Sequence, residues 1–335
     1  MAQINMSSNN NVATIAVVIP CFKVKKHILD VISSLGSEID HIYVIDDCCP
    51  DKSGQYVMEN CIDPRLKIIF HTENQGVGGA VVSGYLAAIA DKAEIIVKID
   101  GDGQMDSSQI CRLISPILYG EADYTKGNRF FSIEELSLMP KIRVFGNAVL
   151  SMMSKFSSGY WDLFDPTNGF TAIHSEVAKS LPFPKISKRY FFETDMLFRL
   201  NIMRAVVIDI PMPAKYGDEV SNLKIHKIIG EFLVKHCVNF IKRIFYNYYL
   251  RDMSLASIEL PLGIFLFTFG SIFGLLNWFI SSEKDLPATS GTVMLATLPI
   301  LMGVQLILAF LAYDIYTTPK RPLLKSLLAN KITIQ

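Results

Sequence analysis

Hydrophobic and polar positions divide the chain into three regimes. From residue 13 to about 210, short β-branched runs alternate with amphipathic stretches, the pattern of a mostly parallel sheet covered by helices. The spacing predicts strands at 14–19 (TIAVVI), 41–46 (HIYVID), 66–71 (LKIIFH), 94–100 (EIIVKID) and 206–210 (VVIDI). Ligands of such sheets lie beyond the carboxyl ends of the strands. Between 222 and 251 the period lengthens, and Ile229, Leu233, Cys237, Phe240, Ile241, Ile244 and Tyr248 recur at helical steps. Its polar positions include Lys224, Lys227, Lys235, Lys242, Arg243 and Arg251, which fits an interfacial helix under anionic headgroups. The alternative is an ordinary packing helix with a solvated face. Finally, 260–280 and 286–313 hold no charged residue over 21 and 28 positions. Each run matches or exceeds the roughly 20 apolar residues that cross a bilayer core.

Charge and composition narrow the picture. The 335 residues carry 32 Lys+Arg against 32 Asp+Glu, which argues against a nucleic-acid partner reached through bulk charge. The hydrophobic fraction is 50% and the charged fraction 19%, an excess concentrated in the two apolar runs. The start, MAQINMSSNNN, is polar and does not read as a secretory signal, so the bulk of the chain is expected in the cytoplasm. Lys and Arg flank the apolar runs on both outer sides, including Lys320, Arg321, Lys325 and Lys331 after them, whereas the short connection SSEKD holds one basic residue. Both ends of this hairpin are therefore expected in the cytoplasm and the connection outside. Six cysteines (Cys21, Cys48, Cys49, Cys61, Cys111, Cys237) show no CxxC spacing, so a structural zinc site is not expected.

The chemistry clusters at strand ends. In IDGDGQMD, Asp100 and Asp102 alternate with glycine, an arrangement able to hold a hard divalent cation against a diphosphate. The competing reading is a polar turn whose aspartates cap the next helix. VIDDCCPDKSG places Asp46 and Asp47 after the second strand, where a carboxylate accepts hydrogen bonds from a base or ribose. HTENQGVGGA follows the third strand, and Gly76, Gly78 and Gly79 open a helix whose amides are expected to face a phosphate. As a dinucleotide fingerprint this last motif is weak, because a valine stands where the third glycine belongs and the glycines do not follow the first strand.

In this order and at these spacings, PCFKVKKHI, VIDDCCPDKSG, ENQGVGGA and IDGDGQMD resemble the nucleotide-binding half of family-2 glycosyltransferases with the GT-A fold. The nearer resemblance is to the polyprenyl-phosphate sugar transferases, a group that includes dolichyl-phosphate mannose synthase. It continues through GNRF (127–130), FDPTNGF (164–170), FFETDML (191–197) and YGDEVSNL (216–223). The resemblance implies that Pro20 and Asp46 or Asp47 line the base and ribose pocket, with Gly76, Gly78 and Gly79 beside them. It makes Asp100 and Asp102 ligands of Mg²⁺ or Mn²⁺, with Gln104 adjacent. Arg129 and Arg143 resemble the pair that grips the lipid phosphate, and Glu193 and Asp195 match the acidic motif near the sugar. Two positions depart from the pattern: Cys48–Cys49 where glycine and serine are commoner, and Asn147 where a serine is expected near the acceptor phosphate.

The resulting expectation is an α/β GT-A catalytic domain (13–221) after a polar N-terminal tail (1–12). Amphipathic juxtamembrane helices (222–257), a two-helix transmembrane hairpin (258–314) and a basic cytoplasmic tail (315–335) follow. The activity implied is inverting transfer of one sugar from a UDP- or GDP-sugar to a polyprenyl phosphate, undecaprenyl or dolichyl, at the bilayer surface. Relatives often self-associate, which allows a homo-oligomer. Three rival readings stand beside it. A processive polysaccharide synthase normally has more spans and a QxxRW motif, which this sequence does not contain. A catalytically silent sugar-nucleotide or lipid-phosphate binding subunit is the second, and a dinucleotide oxidoreductase the last.

Overall fold

The computed structural model describes residues 13–130, 141–213 and 225–332, without the side chains of 141–143, 225–229 and 330–332. Seven strands form one sheet: β1 (Ile15–Cys21), β2 (His41–Asp46), β3 (Leu66–Phe70), β4 (Ile95–Lys98), β5 (Tyr124–Asn128), β6 (Thr171–His174) and β7 (Val207–Pro211). Their order is β3-β2-β1-β4-β6-β5-β7, and only β6 runs antiparallel to its neighbours. The mostly parallel sheet expected from the pattern is therefore present.

Helices cover both faces, which is why strands such as IAVVI are apolar without alternation. Ala16, Val18, Tyr43, Ile45 and Ile96 pack against α3 (Val77–Ala90) and α7 (Phe192–Ile202). Val17, Ile19, Ile42, Val44 and Val97 pack against α1 (Ile28–Ser33) and α4 (Ile110–Leu118). Two further helices, α2 (Ser53–Asn60) and α6 (Ser175–Lys179), complete the domain's flanks, and α5 (Lys141–Ser158) packs against α7.

Two strands escaped the sequence reading. β5 is YTKGN, where a lysine and a glycine interrupt the β-branched signal, and β6 spans four residues. Both are held by neighbours in the sheet, β5 in register with β7 from Tyr124↔Val207 to Asn128↔Pro211. Because β6 is antiparallel, its first residue lies at the same edge as the last residues of β1, β2, β4, β5 and β7. That edge carries the candidate chemistry.

After the sheet come α8 (Ile225–Phe245), a π-helical turn at Tyr246–Arg251, and two long helices, α9 (Ala256–Lys284) and α10 (Ser290–Tyr316). The last two are long and apolar enough to cross a membrane, and only 11% of each apolar window is buried, so neither is a core helix of the domain. They approach closely through Gly263, Gly270 and Gly303, as small residues permit in membrane helix pairs.

Helix α8 and the turn after it divide the expected apolar positions: Ile244 and Tyr248 are buried together with His236, Asn239, Arg243 and Asn247, while Leu233, Val234, Val238, Ile241 and Phe245 are exposed. Arg243, grouped by the sequence with the polar surface positions, is buried in an ion pair with Asp314. The tail after the hairpin also folds: α11 (Leu323–Ile332) docks on the domain, with Leu324 in the core and the Asp123 carboxylate accepting from the Leu323 and Leu324 amides at 2.7 and 2.8 Å.

Candidate active site

At the end of β4 the buried Lys98 ammonium bridges two acids, Asp100 Oδ1 at 2.9 Å and Glu193 Oε1 at 3.2 Å. Burial alone would lower the lysine, but the two carboxylates outweigh it and its pKa rises. Glu193 is pushed upward by burial, with Lys98 opposing and Asp100 adding to the effect. Gly169, at the end of the FDPTNGF loop, covers this cluster; a Cβ there would meet Lys98 Nζ and lie 2.7 Å from Asp100 Oδ2. The structure thus joins Asp100 to Glu193, residues 93 apart in sequence, through a lysine that the sequence reading passed over. The available signal was a single lysine inside an otherwise apolar strand with both faces covered.

Asp102 follows in the turn and accepts from the Gln104 amide at 3.0 Å. Among the described residues no group of three or more His, Cys, Asp or Glu side chains forms a metal cage. Two hard carboxylates at a strand end nevertheless suit Mg²⁺, which is typically held by one or two carboxylates together with substrate phosphates and water. The donor set therefore fits a divalent ion shared with a diphosphate.

Arg129, just past β5, forms a bidentate pair with Asp165, Nε to Oδ2 and Nη2 to Oδ1, both 2.8 Å. Asp165 is buried and holds a positive φ of 49°, so the FDPTNGF loop is folded around this contact. Beneath it Lys126 binds Asp209 Oδ1 at 2.8 Å, and Asp209 Oδ2 accepts from the Phe164 amide at 2.7 Å. Gln104, Arg129, Asn168, Phe170 and Met212 line one small cleft at the carboxyl edge. Arg143 begins α5, but its side chain lies outside the described residues, as does the YGDEVSNL segment up to residue 224; Asn147 is half-buried one turn on.

The remaining expected residues do structural tasks in this arrangement. Asp46 accepts from the Cys49 and Gly54 amides, both at 2.7 Å, and so fixes the start of α2. Asp47 accepts from the Gln75 and Gly76 amides at 2.8 and 2.7 Å and from His71 Nδ1 at 2.8 Å. Pro20 stands beside them near the end of β1. The amides of Gly78 and Gly79, expected to face a phosphate, donate instead to the Lys188 carbonyl at 2.8 and 3.3 Å. That correction has a local cause: the 187–189 loop lies against the glycines, and a Cβ at Gly76 would be 2.5 Å from the Lys188 oxygen. Asp195 points away from Glu193, accepting from the Ser187 amide at 2.9 Å, Arg199 Nε at 3.0 Å and Asn239 Nδ2 at 3.1 Å.

Residues 16–181 match the family described as Glycosyl transferase family 2. The chain carries a family-2 glycosyltransferase domain. It is 27% identical over 218 residues to the UDP-N-acetylglucosamine–dolichyl-phosphate N-acetylglucosaminyltransferase of Methanococcus voltae, covering 61% of this chain and 86% of that one. It is 25% identical over 195 residues to the undecaprenyl-phosphate mannosyltransferase of Micrococcus luteus, covering 58% and 79%. Among solved structures, glucosyl-3-phosphoglycerate synthase from Mycobacterium tuberculosis, bound to Mn²⁺, UDP-glucose and phosphoglyceric acid, superposes with a TM-score of 0.51 at 17% identity, covering 69% of this chain and 79% of that one. This likeness shows the GT-A fold. Among the aromatic residues, Trp161 donates to Asp314 at 2.8 Å, Phe191 and Phe192 are buried, and Tyr190 is exposed.

Proposed function

We propose that this chain is a membrane-anchored inverting glycosyltransferase that moves one sugar from a UDP- or GDP-sugar to a polyprenyl phosphate, using Mg²⁺ or Mn²⁺. The relatives named for dolichyl- and undecaprenyl-phosphate acceptors support this class of acceptor. One observation carries the reading. Helix α7 holds the acid cluster with one side chain and the membrane-proximal helix with another, Glu193 to Lys98 and Asp195 to Asn239 of α8. The acid cluster and the helix that precedes the apolar hairpin are thereby held by side chains two residues apart on one helix.

A cation at Asp100 and Asp102 would offset the charge that grows on a departing nucleoside diphosphate. Lys98 holds Asp100 in place and prevents it from repelling Glu193. Gly169 keeps this cluster close-packed. Asp165 fixes the plane of the Arg129 guanidinium through its Nε and Nη2, and this positioned cation would attract the acceptor phosphate. A phosphate acceptor has a second pKa of about 6, so near neutral pH its oxygen is largely anionic and needs little general-base help. Direct in-line attack on the anomeric carbon then inverts its configuration. The distribution of Lys and Arg about the hairpin supports a cytoplasmic catalytic domain.

The test is incubation of the purified protein with UDP- and GDP-sugars, divalent metal and undecaprenyl or dolichyl phosphate, followed by mass analysis of the lipid and assignment of its anomeric configuration. One donor is expected to yield a glycosylated lipid with inverted configuration. Asp102→Asn should lower that transfer by about 100-fold or more while leaving membrane insertion intact. Absence of any sugar-lipid with every donor, or full activity of Asp102→Asn, overturns the proposal.

A further inference from the structure

Outside the cleft, the hairpin meets the catalytic domain at one buried charge pair. Arg243 of α8 is 1% exposed and Asp314, near the end of α10, is 3% exposed. The guanidinium grips the carboxylate twice, Nη1 to Oδ1 at 2.6 Å and Nη2 to Oδ2 at 2.9 Å. Arg243 also donates to the Phe156 carbonyl in the last turn of α5, from Nε at 3.1 Å and Nη2 at 2.9 Å. Asp314 further accepts from the Tyr248 hydroxyl at 2.6 Å and the Trp161 indole at 2.8 Å. Three parts of the molecule therefore converge on one carboxylate: α5 with the loop after it, the α8 segment, and the second apolar helix.

A buried ion pair is weak evidence for stability, and its best-attested use is to fix one register. Apolar contact is non-directional, so a hairpin held only by such contact has little to stop it slipping along the domain. Slippage here would strand a charge in a dry site. The helix pinned at Phe156 begins at Lys141, and its positions 143 and 147, which the resemblance assigns to the acceptor phosphate, lie roughly 20 and 14 Å away along its axis at the usual rise per residue. We propose that Arg243–Asp314 is a register pin that sets the depth of α5 relative to the membrane hairpin, so that the end carrying these two positions meets an acceptor held by a long chain in the bilayer. The inference rests on the polyprenyl-phosphate reading above. Arg243 and Asp314 act through α5 and are positioning residues.

The experiment uses the full chain in lipid nanodiscs, as wild type, Arg243→Met, and the double variant Arg243→Met/Asp314→Leu, which leaves no charge stranded. Transfer to bilayer-embedded undecaprenyl phosphate is compared with transfer to dispersed geranyl phosphate, alongside nucleoside diphosphate affinity and hydrogen exchange of residues 141–158. The double variant should lose about tenfold or more with the embedded acceptor, because a small misplacement of the reacting groups is costly. Nucleotide affinity and transfer to geranyl phosphate should stay within about twofold, since groups that bind donor alone are untouched. Exchange across 141–158 should rise. Equal losses with both acceptors, or no loss with either, overturn the pin. If the wild type glycosylates neither acceptor, the acceptor reading has failed, and unchanged exchange across 141–158 in the double variant then overturns the pin independently.

Discussion

At the scale of single residues, the acid cluster depends on what the sequence places far apart. Lys98 is buried because its strand is covered on both faces, and it is tolerated there because Asp100 and Glu193 satisfy its charge. Gly169→Ala puts a methyl group against Lys98 Nζ and Asp100. It is expected to lower sugar transfer by about tenfold or more and stability by about 1–3 kcal/mol, read by initial rates and thermal unfolding. His236 gives a second residue-scale prediction. Burial among Phe191 and Phe232 pushes its pKa down to about 4, and Ser157 Oγ lies 2.8 Å from its Nδ1. The unfolded chain then binds more protons than the folded one between about pH 6.5 and pH 4, so stability is full above that window and falls on acidification. Between pH 7 and pH 5 the loss from this group is about 2 kcal/mol, and His236→Gln should flatten that limb of the stability curve. Asp100 and Asp102 stand out in the sequence as repeated carboxylates at a strand end. Lys98, Asp165 and Asp209 do not, because their meaning lies in partners supplied by other strands and loops.

At the scale of elements, the long strands announced themselves and the short ones did not. HIYVID is read at its observed boundaries, whereas YTKGN and TAIH are strands only because neighbouring strands complete their hydrogen bonds. The period of α8 was legible, but its direction was not. Periodicity reports that a helix has two faces; which face turns inward depends on whether the surroundings are water or lipid, and here the buried face mixes His236, Asn239, Arg243 and Asn247 with Ile244 and Tyr248. The hairpin makes an element-scale prediction. An added side chain at Gly270 would lie 2.7 Å from the Ala296 carbonyl of α10. Gly270→Leu should therefore separate α9 from α10 and destabilise the detergent-solubilised protein by about 1–3 kcal/mol, measured as a lower unfolding temperature with the isolated fold of the sheet unchanged in circular dichroism.

At the scale of the whole molecule, both ends of the hairpin are tied to the same domain. Ser257, at the start of α9, bonds to the Tyr248 carbonyl; the end of α10 is held by Arg243; and α11 returns to the sheet through Asp123. If α9 and α10 span a bilayer, the connection between them emerges on the face opposite the catalytic domain. A membrane-impermeant maleimide should label Ala288→Cys in sealed cells with the outer face exposed, while exposed Cys48 and Cys111 of the native domain become reactive only after permeabilisation. Labelling of the domain thiols first would reverse the orientation. The α/β class, the acidic and glycine-rich strand ends and the two apolar helices can be read from the chain alone, because each is written in a local period or a contiguous motif. That Lys98 joins Asp100 to Glu193, that Gly78 and Gly79 donate their amides to Lys188, and that Arg243 is sunk against Asp314 emerges only once the chain is folded. Burial and charge pairing are properties of contacts between distant segments, and no local pattern records which segments will meet.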